Sequence, residues 1–328
     1  MCKLFIATGS FTKDQVLHML RATNASFAKS QRDGFGFIAY GSKKSAAYGK
    51  YLNPSEYLGF GKELPSWVNS NRIEVGTIPK VTTALVIHGR TSTNSVLMHN
   101  VHPFHNKGTF LAHNGVLSWK GEGPAPTAKH GCDTEQFFNW MQEQGAAGQD
   151  VAWGATADHW TGYGVFGIIN TTTGHLTVAK CGSGNLKWVG SDNNHFFSTD
   201  GADLLRITRA AKFQFSKSAD MRPKSRVVFK LNAHGSKVQS VTDWKGFGTR
   251  VIDDSWRRSM GYNDYSRSSH YNDRWDGYGV AKTDERPTVA VKPTAGDFKG
   301  VTVPRDRQRE MFPDWEPDIA ELNKEIEQ

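Results

Sequence analysis

Position 2 offers chemistry that an internal position cannot. Initiator methionine is generally removed before a small residue, which makes Cys2 the terminal residue, carrying a thiol beside its own α-amine. An unperturbed α-amine titrates at about 7.7–8, close to working pH. It can take the thiol proton directly or through one water, so this nucleophile needs no separate histidine. The bland alternative is a cysteine at position 2 by chance. Further along, an apolar run from Thr83 to Ile87 ends in His88-Gly89-Arg90. A guanidinium at a strand end suits bidentate capture of a carboxylate, although a surface ion pair fits as well. A second run, Thr109 to Ala112, ends in His113-Asn114-Gly115. Asn-Gly is a strong hairpin signal. The same pair can form an oxyanion hole from the Asn114 amide and the Gly115 backbone N–H. Asp133-Thr134-Glu135-Gln136 reads as a helix N-cap with Gln136 completing a capping box, or as an ammonium receptor, and one carboxylate can serve both. His88, His99, His102 and His113 match no standard ligand spacing, so neither a metal nor another cofactor is expected.

The elements around these residues can be read from periodicity. Residues 3–8 form a short strand. A helix over 14–29 buries Val16, Leu17, Leu20 and Phe27. Arg32-Asp33-Gly34-Phe35-Gly36 is a turn before a strand at Phe37 to Tyr40. Residues 41–80 are mixed, with a helix around 63–69. A strand covers 82–87, a Gly/Pro loop covers 121–130, and a helix runs from Asp133 to Met141. From Gly162 the pattern is β-rich: two strands joined by a turn at 171–174, then LKWVG, then 194–198, a short helix at 201–205, and a closing strand at 226–231. Strands and helices follow no regular βαβ order, which favours antiparallel sheets with helices outside.

A chain of 328 residues with 38% hydrophobic content can bury a large core. No run approaches the roughly 18 apolar residues of a membrane span, and the first residues lack the apolar stretch of a signal peptide, so a cytoplasmic protein is expected. Cys2, Cys132 and Cys181 cannot close a disulfide set and read as reduced thiols. The net charge of +8 is compatible with an anionic partner without identifying one. After residue 232 the composition shifts. Residues 250–280 mix Arg, Tyr and Trp with five aspartates, which weakens a nucleic-acid reading. Residues 282–306 resemble a linker, and 314–327 an acidic helix.

Taken in order, Cys2, Arg32-Asp33-Gly34-Phe35-Gly36, His88-Gly89-Arg90-Thr91-Ser92-Thr93, His102-Pro103, His113-Asn114-Gly115 and Cys132-Asp133-Thr134-Glu135 resemble the glutaminase domain of class II glutamine amidotransferases. The resemblance implies an α+β fold, a four-layer αββα sandwich of two antiparallel sheets of the N-terminal-nucleophile (Ntn) hydrolase type, over residues 1–232, followed by an irregular extension over 233–328. It implies Cys2 as nucleophile, Arg90 and Thr93 on the α-carboxylate of glutamine, Asp133 on its α-amine, and Asn114 with Gly115 as oxyanion hole. Ammonia would leave and a γ-glutamyl thioester would await water.

Three positions depart from the family pattern: Thr91 where tryptophan is frequent, Asn94 where histidine is frequent, and Cys132 where serine is frequent. Family members usually carry a second catalytic domain, and the last hundred or so residues here show no phosphate loop. Three outcomes follow for the chain: ammonia delivery to a separate synthase subunit, stand-alone hydrolysis of a γ-glutamyl amide, or a catalytically silent binding module on the same fold.

Overall fold

The computed structural model describes residues 2–41, 45–57, 59–61, 72–92, 96–129, 131–144, 150–182, 184–191, 193–232 and 235–243. The expected helix around 63–69, residue Thr93, and the segments at 250–280, 282–306 and 314–327 lie outside these residues.

Two antiparallel sheets carry the molecule. The first has eight strands: β1 (Lys3–Thr12), β2 (Phe35–Gly41), β3 (Ala46–Tyr51), β4 (Arg72–Gly76), β5 (Val81–Gly89), β10 (Lys187–Gly190), β11 (His195–Ser198) and β12 (Ala219–Asp220). Their spatial order is β12-β10-β11-β1-β5-β2-β3-β4. The second sheet has six: β6 (Phe104–Asn106), β7 (Thr109–Trp119), β8 (Trp160–Asn170), β9 (His175–Cys181), β13 (Ser225–Asn232) and β14 (Gly235–Asp243), ordered β14-β13-β9-β8-β7-β6. Among the described residues four α-helices complete it: α1 (Lys13–Phe27), α2 (Asp133–Glu143), α3 (Asp150–His159) and α4 (Gly201–Ala210).

Alternation along the strands sorts side chains into layers. On β1, Phe5 and Ala7 join Val16, Leu20 and Phe27 of α1 and Leu204 and Ile207 of α4 in one core. Leu4 and Ile6, on the other face, meet Phe110 and Ala112 of β7 and Val165 of β8 between the sheets. A third core packs Leu111, Leu117 and Phe166 against Phe137 and Met141 of α2. Three cores between four layers make an αββα sandwich, as the sequence resemblance implies. α1 begins with a capping box in which Thr12 and Gln15 each accept the other's backbone N–H, at 3.3 and 2.9 Å.

Several expectations change. β1 is ten residues long, because Phe11 extends its buried face beyond the predicted end at residue 8. β3 and β4 were hidden in a mixed stretch of Gly, Lys, Tyr and Glu without clear alternation. The strand at 226–231 does not close the series, since β14 pairs with it along its length.

Asn114-Gly115 is not a hairpin. β7 runs through both, with Asn114 opposite Val165 and Gly115 opposite Gly164. Glycine is required at 115 by close approach rather than by a turn. A Cβ there would lie 2.1 Å from the Tyr163 carbonyl oxygen and 2.6 Å from His113 Nε2. Gly115→Ala is therefore expected to cost about 1–3 kcal/mol or more, because backbone atoms of β8 cannot step aside. Urea denaturation measures it, and an unchanged midpoint would contradict the Gly115–Gly164 pairing.

Candidate active site

Cys2 precedes β1, and β1 is held at its first residues by the segment after β11. Leu4 N–H donates to Thr199 Oγ1 at 3.0 Å, and Thr199 N–H donates to the Leu4 carbonyl at 3.0 Å. Lys3 Nζ lies 2.6 Å from Asp203 and 3.3 Å from Asp200. Burial works to lower the Lys3 pKa, but the bond and charge of Asp203, with help from Asp200, outweigh it and raise it. Cys2 is thereby fixed at a strand start in the centre of the first sheet. Its Sγ is 3.4 Å from both the backbone nitrogen and the carbonyl oxygen of Thr91. Burial pushes the thiol pKa up, partly offset by the Thr91 N–H and the Arg90 charge, while Asp133 adds to the rise. A thiol so placed is protonated at neutral pH and requires a base to react.

Arg90 follows β5, the strand beside β1. Its N–H donates to the Gly34 carbonyl at 2.8 Å, and its carbonyl accepts from Asp33 N–H at 3.2 Å. Asp33 Oδ2 also accepts from Ser92 N–H at 2.7 Å. Asp33 and Gly34 thus act as a clip on the residues around Arg90, and the turn expected over 32–36 ends earlier, since Phe35 and Gly36 already pair with β5 in β2. Arg90 is 5% exposed. Continuing the alternation of their strands, Cys2, Arg90 and Asn114 fall on the inter-sheet side, with Leu4, Val86 and Ala112.

The unpaired edge of β7 arranges the rest. β6 covers only Thr109 to Leu111 of that edge. Beyond it, His113 N–H donates to His102 Nδ1 at 3.4 Å and Leu117 N–H donates to Asp133 Oδ2 at 2.8 Å. Amides on one side of a strand recur every second residue, so the Gly115 N–H between them points to the same edge, away from β8. Exposure of this donor comes from a short neighbouring strand rather than from the tight turn expected.

Asp133 is also not the helix cap. Cys132 holds that position without a side-chain bond, and Gln136 N–H reaches only the Cys132 carbonyl, at 3.1 Å. The Asp133 carboxylate instead joins α2 to β7: Oδ2 takes Leu117, and Oδ1 accepts from Thr134 N–H at 2.7 Å and Thr134 Oγ1 at 3.2 Å. A tertiary bond to β7 outcompetes the capping geometry.

Three histidines connect these groups, and their tautomers follow from the donors. His102 Nδ1 accepts from His113 N–H, so it carries no proton, and His88 Nε2, 3.1 Å away, donates to it. The Thr134 hydroxyl donates to Asp133, so it accepts from His113 Nδ1–H at 3.0 Å. Burial lowers the His88 pKa to about 3, with the His113 and Arg90 charges acting the same way. Burial also puts His102 well below the imidazole range and lowers His113, against an opposing pull from Asp133. All three are neutral, and they link the start of α2 to the Arg90 end of β5. Among the described residues, no group of three His, Cys, Asp or Glu is arranged to hold a metal.

Lys50 on β3 was missed by sequence reasoning, because a lone lysine in an irregular stretch gives no signal. It is 7% exposed, with Nζ 5.8 Å from the Tyr48 ring and 5.5 Å from the Phe104 ring. Burial lowers its pKa to about 7, against the opposing pull of Cys132 and Glu135 at the start of α2.

No family model matches the sequence, and no curated protein sequence matches it. Solved structures similar to it include a glutamine phosphoribosylpyrophosphate (PRPP) amidotransferase from B. subtilis complexed with ADP and GMP. It is 16% identical, with a TM-score of 0.43, covering 73% of this chain and 49% of that one. An allosteric regulatory enzyme of purine biosynthesis is 15% identical, with a TM-score of 0.44 and coverage of 73% and 48%. A predicted glutamine amidotransferase from Pseudomonas aeruginosa PA01 is 12% identical, with a TM-score of 0.38 and coverage of 73% and 96%. The chain spans about half the length of the first two. No helix among the described residues is long and apolar enough to cross a membrane.

The Lys50 environment yields a pH test. A lowered folded-state pKa means that the unfolded chain binds the extra proton between pH 7 and 10.5, so stability rises with pH across that window. Lys50→Met should therefore stabilise the fold by about 3–5 kcal/mol at pH 7, with the gain fading toward pH 10. Denaturant melts at both pH values measure this. A gain independent of pH would show that Lys50 is not desolvated.

Proposed function

We propose that the domain hydrolyses the side-chain amide of glutamine as an N-terminal-nucleophile enzyme. The observation that carries this reading is the Gly115 N–H on the open edge of β7, on a strand whose Asn114 side shares the inter-sheet space with Cys2 and Arg90. Removal of Met1 frees the Cys2 amine. That amine takes the thiol proton, and Sγ bonds to the amide carbon. The carbonyl oxygen, now negative, is stabilised by the Gly115 N–H and the Asn114 amide. Collapse breaks the C–N bond, the amine returns its proton to the leaving nitrogen, and ammonia departs. Water then attacks the γ-glutamyl thioester, giving glutamate and the free thiol.

Arg90 receives the α-carboxylate and Asp133 the α-ammonium. Thr93 assists Arg90 in the reading that the motif order supports. These clamps hold the amide carbon against Sγ in near-attack geometry. Asp133 retains acceptor capacity on Oδ2, whose one bond among the described residues is to Leu117. The raised thiol pKa agrees with a mechanism that needs a base at the moment of attack. The ammonia goes to a separate synthase subunit or to solvent, and the His-Pro-Phe before His-Asn-Gly fits stand-alone hydrolysis of a γ-glutamyl amide.

The test is incubation of Met1-processed protein with glutamine and with larger γ-glutamyl amides, measuring ammonia or amine together with glutamate. Cys2→Ala should lose turnover at least about a thousand-fold while keeping its unfolding midpoint. Turnover by that variant would sink the mechanism, and absence of turnover and thioester in the processed wild type would favour the silent binding module. Arg90→Ala should raise KM for glutamine with a smaller effect on kcat. An unchanged KM would point to a substrate without an α-carboxylate.

The pH profile has a defined shape. The base must be neutral, so kcat/KM should rise through about pH 7.7–8, the range of an α-amine. The thiol must be protonated, and burial raises its pKa from 9.0, so no falling limb is expected below pH 9. A plateau already reached at pH 6 would exclude the amine as base.

A further inference from the structure

On the α2 face of β7, opposite to the face that carries Asn114, a cleft of about 680 Å³ opens between the end of β7, α2 and the end of α3. Trp119, Trp140 and His159 form its aromatic walls. The Trp119 and His159 rings stack with centroids 5.4 Å apart and planes 8° apart, and Trp140 lies 5.7 Å from His159. Behind them the fully buried Trp160 packs edge-on against both tryptophans, at 5.4 and 6.0 Å. The wall is held in place by backbone contacts. Trp119 Nε1–H donates to the Gly123 carbonyl at 3.3 Å, and Lys120 N–H donates to the His159 carbonyl at 2.9 Å. Gly121 lies across the stacked pair. A Cβ there would come within 2.3 Å of Trp119 Cζ2 and 2.8 Å of His159 Nδ1, so any larger residue would displace the stack.

The charge of this cleft runs against that of the chain. The protein carries +8 overall, yet the cleft lining holds Glu122, Glu143 and Asp158 against one cation, Lys120. None of the three carboxylates forms an ion pair among the described residues. Uncompensated carboxylates beside the partly exposed Trp119 ring suit a positive ligand with an apolar body. A cation near an aromatic face gains an attraction that a neutral molecule of the same shape lacks.

We propose that this cleft binds a small organic cation, an alkyl- or aryl-ammonium compound, with its apolar body against the half-buried Trp119, which the buried Trp140 and Trp160 back, and its charge facing Glu143 and Asp158. The site is independent of the Cys2 chemistry, because β7 separates the two faces.

The test titrates the full-length protein with benzyltrimethylammonium and with benzyl alcohol, a neutral counterpart, by calorimetry and saturation-transfer NMR. The cation should bind saturably and about ten-fold more tightly than the alcohol. The double variant Glu143→Gln, Asp158→Asn changes two exposed residues and should fold normally. It should lower affinity for the cation about five-fold and leave that for the alcohol unchanged. Trp119→Leu should weaken both ligands. The proposal is overturned by any of three results: no saturable cation binding up to about 10 mM, equal affinity for cation and alcohol, or a double variant that binds the cation like the wild type.

Discussion

The site is organised by backbone amides that have no strand to pair with. β6 is three residues long, whereas β7 has eleven, so among the described residues most of one edge of β7 carries N–H groups without a neighbouring strand. A buried backbone donor left unsatisfied costs as much as a lost hydrogen bond. Two of these donors recruit side chains from elsewhere, His102 for His113 and Asp133 for Leu117. The donor between them, at Gly115, is the one that an oxyanion can use. The same requirement that draws His102 and Asp133 to this edge leaves the Gly115 donor between them, where the proposed oxyanion hole would lie. Gly115 itself is dictated by packing, because the His113 ring and the Tyr163 carbonyl occupy the space of a side chain.

Charge and burial are balanced around this edge. His88, His102 and His113 are stacked or bonded in a closed space and stay neutral because burial penalises their protonated forms. Neutral rings can accept as well as donate: His88 and the His113 amide both donate into His102 Nδ1, and His113 Nδ1–H donates to Thr134, which gives a single consistent set of tautomers from His88 to Asp133. A charged His102 would break that pattern, since imidazolium has no acceptor. Arg90 beside His88 and Asp133 beside Thr134 then stand at opposite ends of one hydrogen-bonded path, suited to the two opposite charges of an amino acid. The network is structural in its bonds and electrostatic in its consequence.

The first sheet positions Cys2, the proposed nucleophile, by a different route. β1 lies at the centre of that sheet, between β11 and β5, and its start is fixed through Leu4, Thr199, Lys3 and Asp203. A terminal residue would ordinarily fray. Here the anchoring begins one residue after Cys2, which leaves the thiol ordered against Thr91 while its own amine is free to act once Met1 is gone.

Local pattern alone carried much of this. The 3.6-residue stripe of α1, the alternation of β5, the turn at 171–174 between β8 and β9, and the types of the site residues all follow from short-range chemistry, and the order of motifs along the chain implied the sandwich. Other features depend on partners far away in sequence. Asn114-Gly115 has the local chemistry of a hairpin, but pairing with β8 across some fifty residues keeps it extended. Asp133 has the chemistry of a cap, but the Leu117 amide claims one of its oxygens. Lys50 looks like any surface lysine until β3 enters a sheet between β2 and β4 and buries it. Tertiary structure decided these positions because a buried polar group takes the partner that desolvation leaves within reach, and adjacency in sequence does not determine that partner.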